Sequence, residues 1–450
     1  MSEVDYLQLA AGVVKLARGR GAGEAECTIS EGDEFSVTVR MRQIETLKEA
    51  GARGAGVRVL LGQRPGSSYT SDLTPEGLAR MVDSAIELAR LTTDDPFAGL
   101  PEEADLGSVA GDLGLYSDDV AALASDARIR MARECEEAAF AVDARIVNSE
   151  GASFSSSVGL RAFANSRGFA NAYRTSSCAL NAVPVAREGD SMERDYWFTA
   201  ARRAALLETP QQVGRIAAER ALRRLNPRKI ATERAPVVFE PRTAGSLIDS
   251  VFDAVSGDAI YRKASFLTGK LGRRIAAGCV TLIDDATMPG LLGASPFDDE
   301  GVPSRRTVVI DRGVLSSYLL NTYTARKLGL RTTGNAARGL SGNPGVGHGN
   351  LYLGQGERSP GEILGSVRRG LLVTELMGSG VNIVTGDYSR GAAGLWIEDG
   401  RPVFAVSEVT ISGNLSEMLD GIESVGSDLE FRGSISAPTL LIREMTVSGR

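Results

Sequence analysis

IDSVFDAVSGD, residues 248–258, is the stretch on which the reading of the second half of this chain turns. Apolar residues recur at Leu247, Ile248, Val251, Phe252 and Val255, the spacing of one buried helix face. Just upstream, APVVFEP reads as a strand. Downstream, short strands dominate, in CVTLIDD, RTVVIDRGVLSSYLL, GLWIEDGRPVFAVSEVTISG and TLLIREMTVSG. EDG at 398–400 and DRG at 311–313 have the composition of hairpin turns. One helix among many hairpin-linked strands predicts a C-terminal β-rich domain, 229–450, with mostly antiparallel strands. The whole chain then falls in the α+β class.

The first 228 residues predict an N-terminal α+β domain, an α/β-type region of long helices and a mixed or antiparallel sheet. Two sub-parts, 1–95 and 116–228, are joined by TDDPFAGLPEEADLGSVAGDLG, a linker rich in Pro, Gly and acids. In the first sub-part a helix over 4–22 leads into three strands, 24–32, 34–50 and 54–71, separated at glycines. A helix over 74–92 follows, with Thr74 as N-cap and Pro75 in its first turn. The second predicts one long helix over 117–142, then an antiparallel meander rich in Ser, Gly and Asn. A helix closed by Pro227 ends it.

At 450 residues the chain is too long for a single core. Its 43% hydrophobic and 24% charged residues are those of a soluble globular protein. A net charge of −7 argues against nucleic acid as a partner, and the basic run ERALRRLNPRK reads as a helix end. No apolar run is long enough to span a membrane. MSEVDYLQLA places acids where a secretory leader needs bases, so a cytoplasmic location is expected. Cys27, Cys135, Cys178 and Cys279 are scattered without a CxxC pair, as reduced cytosolic thiols are. The only histidine is His348, in NPGVGHGN. One histidine cannot make an HExxH pair, and no GxSxG elbow accompanies it, so it reads as a loop residue.

Three places carry candidate chemistry. Asp249 and Asp253 lie four apart on one helix face, with Asp258 just past Gly257. Such carboxylates hold a hard cation or share a proton, or they are a solvated face favoured by the helix dipole. Asp387, Tyr388, Ser389 and Arg390 are packed between Gly386 and Gly391 and form a candidate peptide-binding or interface loop. The alternative there is a tight turn bonded to its own backbone. GARGAGVRV and SGNPGVGHGN lack the features of a phosphate loop and read as turns.

GDAIYRKASFL, SPFDDEGVPSRRTVVIDRGVLSSYLLNTYTARKLGL, GLLVTELMGSGVNIVTGDYSRGAAGLWIEDG, VTISGNLSEML and VGSDLEFRGSISAPTLLI occur here in series. Together they resemble the TldD/PmbA family (peptidase U62 type), and more narrowly its PmbA branch, also called TldE. The resemblance implies a cytosolic zinc-dependent protease made of two related subunits, acting on unfolded or small peptides in peptide maturation. In the TldD branch a helix carries HExxxH, and a C-terminal cysteine is a further ligand. Setting Gly257–Asp258 against the GD that follows that helix places HExxxH over Ile248, Asp249 and Asp253. Ile248 cannot bind metal, and FRGSISAPTL offers no thiol. The stretch thus resembles a zinc helix without its ligands. The expectations are no catalytic or metal residue and no cofactor in this chain, with zinc in a TldD-like partner that bears HExxxH. An extended peptide would be the substrate, and a homodimer could form when the chain is alone. The alternatives are an autonomous hydrolase using Asp249, Asp253 and Asp258, and a peptide-binding modulator without catalysis.

Overall fold

The computed structural model describes residues 5–449, so the first four residues of the acidic N-terminal stretch, and residue 450, lie outside the described residues. The N-terminal half contains α1 (Tyr6–Gly19), β1 (Glu24–Arg40), β2 (Gln43–Leu61), β3 (Arg64–Thr70) and α2 (Pro75–Leu91). It continues with α3 (Asp118–Ala121), α4 (Ser125–Phe140), β4 (Ile146–Asn165), β5 (Ala170–Glu188), β6 (Ser191–Arg194), β7 (Trp197–Ala201) and α5 (Pro210–Leu222). All seven strands join one sheet, in the order β3-β2-β1-β4-β5-β6 with β7 on β5. Every pairing in it is antiparallel. The two sub-parts predicted from sequence therefore share a sheet, through the pairing of β1 with β4.

Strand β1 shows how this works. Its residues alternate with period 2, so Cys27, Ile29, Phe35, Val37 and Val39 all point to one face. Cys27 and Ile29 are buried with residues of α1 and α2. Phe35, Val37 and Val39 are buried with residues of α4 and α5. Two helical layers cover successive halves of one 17-residue strand. The turn expected near Gly32 does not occur, because β1 runs straight through it. A Cβ there would sit 2.8 Å from the Val158 carbonyl oxygen, so glycine permits close strand approach. The hairpin turn falls instead at Met41 and Arg42, with φ of 49° and 65°. The single helix expected over 117–142 is two helices, split by Ala124 in an extended conformation. Asp126 favours a fresh N-terminus at that point.

The C-terminal half contains β8 (Glu233–Phe239), α6 (Pro241–Val255), α7 (Gly257–Tyr261), β9 (Leu282–Asp285), β10 (Arg306–Asp311), β11 (Val314–Leu315) and α8 (Thr322–Leu328). Strands β12 (Ala336–Ala337), β13 (Gly345–Val346), β14 (Leu351–Leu353), β15 (Arg369–Met377), β16 (Val381–Asn382), β17 (Asp387–Glu398) and β18 (Arg401–Asn414) follow. The last are β19 (Ile422–Val425), β20 (Ile435–Ser436) and β21 (Leu440–Ser448). Strands β8, β15, β17, β18 and β21 pair into a closed ring. A second sheet runs β11-β10-β9-β14-β20. The pairs β8–β15 and β14–β20 are parallel, and the rest are antiparallel. Both predicted hairpin turns form, at Arg312–Gly313 and Asp399–Gly400, each with two residues at positive φ. Helix α6 buries Leu247, Ile248, Val251 and Val255 in the main core between these sheets.

Charge joins the halves. Glu26 of β1 is fully buried, and its Oε1 accepts from Arg58 Nε at 2.7 Å and from Arg338 Nη1 at 2.5 Å. Nearby, a Cβ on Gly56 would lie 1.7 Å from the Leu340 carbonyl oxygen, so the backbones meet at van der Waals contact. The linker after α2 is an extended strap on the C-terminal half. Arg326 of α8 donates to the Phe97 and Leu100 carbonyls, and Tyr323 donates to Asp95.

Burial pushes the Glu26 carboxyl up, but Arg58 and Arg338 together hold it below the usual glutamate range. A depressed carboxyl contributes stability above the unfolded pKa and loses it as pH falls through the folded value. The parent protein should therefore lose stability below about pH 4.3, the unfolded reference. Glu26→Gln leaves two guanidinium groups without their counter-charge and should cost about 3–5 kcal/mol in urea unfolding. It should also flatten the acid limb. A variant as stable as the parent would show that the carboxylate does not hold the halves together.

Candidate functional site

Helix α6 begins where β8 ends, and Pro241 at its first turn fixes the entry. Its inner face is core. Gly245, Ser246 and Asp249, on another face, line a cavity of about 770 Å³ between the two halves. Tyr196, Trp197 and Phe198 form the N-terminal wall. The opposite wall is the segment 428–437, which includes β20. The structure thus brings the α6 stretch and the FRGSISAPTL stretch, nearly two hundred residues apart, onto one cavity.

Ion pairs hold both walls. The Glu240 carboxylate bonds Arg220, Arg223 (3.1 Å) and Arg242. Asp195 accepts a hydrogen bond from the same Arg242 at 3.1 Å and forms an ion pair with Arg220 at 3.3 Å. Burial raises the Asp195 carboxyl, and Arg220 with Arg242 pulls it below the usual aspartate range. Arg242 stacks over Tyr196, 4.0 Å from the ring centroid. On the opposite wall Arg432 lies over Trp197 at 4.4 Å, pairs with Glu208 at 2.6 Å and donates to the Phe198 carbonyl. The arginines of the cavity are thereby neutralised. Asp249 is exposed and forms no ion pair or hydrogen bond among the described residues. Ser436 is 5% exposed, and its Oγ has no partner.

The sequence-derived candidates separate in space. Ile248 is 2% exposed and belongs to the core. Asp249 and Asp253 share the exposed side of α6. Partial burial, then the charge of Asp249, raises the Asp253 carboxyl, and His348 opposes this. His348 itself packs edge-on against Phe252, ring centroids 4.8 Å apart. Asp258 lines a different cavity, so the three aspartates do not form one cluster. Residues 387–390 are not a loop: they open β17, paired with β18 on one side and, at Asp387 and Tyr388, with β16 on the other. Gly386 sits in the turn from β16, with φ of 85°, but the pairing carries 387–390 and Gly391 on as strand. Tyr388 is buried, its hydroxyl pushed up to about 12 chiefly by burial. Arg390 reaches α6, donating from Nη1 to Ser246 Oγ at 2.7 Å. No group of three or more His, Cys, Asp or Glu is placed to hold a metal among the described residues. The side chains on α6 and the 428–437 segment do not fit a zinc ion: one aligned position is a core isoleucine, and no thiol faces the helix.

Sequence reasoning missed Trp197, Glu240, Arg432 and Ser436. Glu240, Arg432 and Ser436 stand inside quoted motifs but were not singled out. Nothing local marks Trp197, whose role comes from its contact with Arg432 across the two halves.

A helix and a C-terminal segment thus face one cavity between two α+β halves, and comparison with known proteins supplies the family. The PmbA/TldA metallopeptidase domain 1 matches residues 25–89, the central domain 118–225 and the C-terminal domain 232–449. The metalloprotease PmbA of Escherichia coli O157:H7 is 39% identical over 97% of this chain and 94% of its own length. A Bacteroides thetaiotaomicron protein, provisionally described as a modulator of DNA gyrase, superposes with a TM-score of 0.92. It is 27% identical, with all of both chains covered. TldE of Thermococcus kodakarensis superposes at 0.89 over 98% of this chain and 100% of its own, at 22% identity, a likeness of fold. The chain belongs to the PmbA/TldD metallopeptidase family, as a PmbA/TldE-type member. No helix among the described residues is long and apolar enough to cross a membrane.

Arg432→Ala should loosen the far wall. It removes the pair with Glu208, the bond to Phe198 and the stacking on Trp197, together worth about 1.5–3 kcal/mol. Hydrogen exchange across 428–437 should quicken while the strands of the closed ring keep their protection. Unchanged exchange in 428–437 would mean that the wall is held by its own backbone.

Proposed function

We propose that this chain is the metal-free, non-catalytic partner in a two-subunit zinc metalloprotease that acts on unfolded or small peptides. The observation that carries this is the α6 cavity. Where the family's zinc helix would present ligands, this chain has a core isoleucine, Asp249 on the cavity and Asp253 outside its lining, and the opposite wall has no thiol. Water activation needs a metal held by several ligands, so the chemistry falls to a relative that bears HExxxH and its zinc.

This chain contributes a peptide-binding wall. Strand β20 is the last of its sheet, paired among the described residues with β14 alone, and it lines the cavity. An extended peptide can add there as the next strand, giving affinity through backbone bonds. The unpartnered Ser436 hydroxyl and the free Asp249 carboxylate stand beside that edge. The setting is cytoplasmic, consistent with cysteines that form no disulfide.

The purified chain should retain no stoichiometric zinc after dialysis, by elemental analysis, and should leave unstructured peptides intact with zinc, manganese or magnesium. Mixed with its HExxxH-bearing relative, it should give cleavage that chelators abolish. Asp249→Ala with Asp253→Ala should keep most of that cleavage. Loss of cleavage with the complex still assembled would put the carboxylates into the chemistry and favour an autonomous hydrolase. Peptide binding without cleavage in any mixture would favour a modulator.

A further inference from the structure

A second cavity, of about 650 Å³, shares no lining residue with the first. Strands β2 and β3, the strap, α7 and Tyr323 of α8 enclose it. Two of its lining groups are buried ionisable side chains, one with an unpartnered nitrogen and one without an ion pair. Arg58 is 4% exposed; its Nε is bonded to Glu26, but its Nη2 has no partner. Glu300 is 1% exposed; its Oε2 accepts from the Thr322 backbone at 2.9 Å, yet it forms no ion pair among the described residues. Burial raises the Glu300 carboxyl above the usual range, and the Arg58 charge opposes this without the two meeting in a direct pair. A buried guanidinium edge without an acceptor and a buried carboxylate without a cation each require an explanation.

One ligand answers both. A simple carboxylate would serve Arg58 and leave Glu300 uncompensated. A simple amine would do the reverse. We propose that this cavity binds a free α-amino acid, its carboxylate on Arg58 and its ammonium on Glu300. The volume lies within the range of small-molecule sites, about 300–1,000 Å³, and leaves room for a side chain. That side chain would lie toward Tyr261 and Tyr323, partly exposed rings that meet edge to face at 5.8 Å. The site uses none of the residues of the α6 cavity, so it stands or falls separately from the partner-subunit reading.

Titration calorimetry of the full chain with L-leucine, N-acetyl-L-leucine and L-leucinamide tests both halves of the site. Leucine should bind, and each blocked form should bind at least about tenfold more weakly, the loss of one charged anchor or about 1.4 kcal/mol. Glu300→Gln should weaken leucine while narrowing its advantage over N-acetyl-leucine. Ala98→Phe fills the cavity from the strap without touching either charge. It should abolish binding while the melting temperature without ligand is kept. Should Ala98→Phe fail to fold, Glu300→Gln still decides. Equal binding of a blocked form overturns the proposal, as does unchanged affinity in Ala98→Phe. So does an absence of binding by leucine, tyrosine, lysine and glutamate up to about 10 mM, weaker than about 3 kcal/mol, with water then the only occupant.

Discussion

The Glu240 carboxylate is the point on which the cavity depends. It stands at the junction of β8 and α6, and it takes Arg220 and Arg223 from the N-terminal half and Arg242 from its own helix. A buried carboxylate among guanidinium groups is favourable only if every partner is in place, because the cost of removing these charges from water is large. The requirement fixes where α6 sits relative to Trp197 and Tyr196. It therefore fixes the width of the cavity and what the outer side of α6 looks at.

Glu26, held by Arg58 and Arg338, plays the same part on the N-terminal sheet. Two ionic clusters and a backbone contact at Gly56 make the halves one object rather than two bodies on a tether. The strap adds hydrogen bonds from Arg326 to backbone carbonyls, which have no charge to titrate. Both cavities lie between the halves, where apolar packing gives way to charge. Polar groups with unmet valence collect there, and so do the binding proposals.

The period-2 alternation of β1, the capped helices and the positive-φ hairpins at 312–313 and 399–400 were legible because each depends on neighbours in sequence. Thr74 caps α2 through the backbone of its third following residue, as its place before the helix suggested. The α6 stretch was read correctly as a helix with an apolar inner face for the same reason. Two of the failures share a cause. Gly32 and Gly391 looked like breaks, but they are glycines inside strands at close approaches, to Val158 and to the Met377 side chain. The glycine signal is identical in a turn and in a crowded strand. Only the neighbour distinguishes them.

By itself, the sequence determined the α+β class, the family, and the fact that the helix at 248–253 carries no histidine to offer a metal. These are properties of residue type and local spacing. Only the tertiary structure decided that Asp249 and Asp258 face different cavities, that residues 387–390 are strand, and that β1 serves two helical layers at once. It also decided that Ser436 and α6 share a wall. Each of these depends on pairing or packing that the local pattern does not specify, where burial, strand pairing and charge select one arrangement among many.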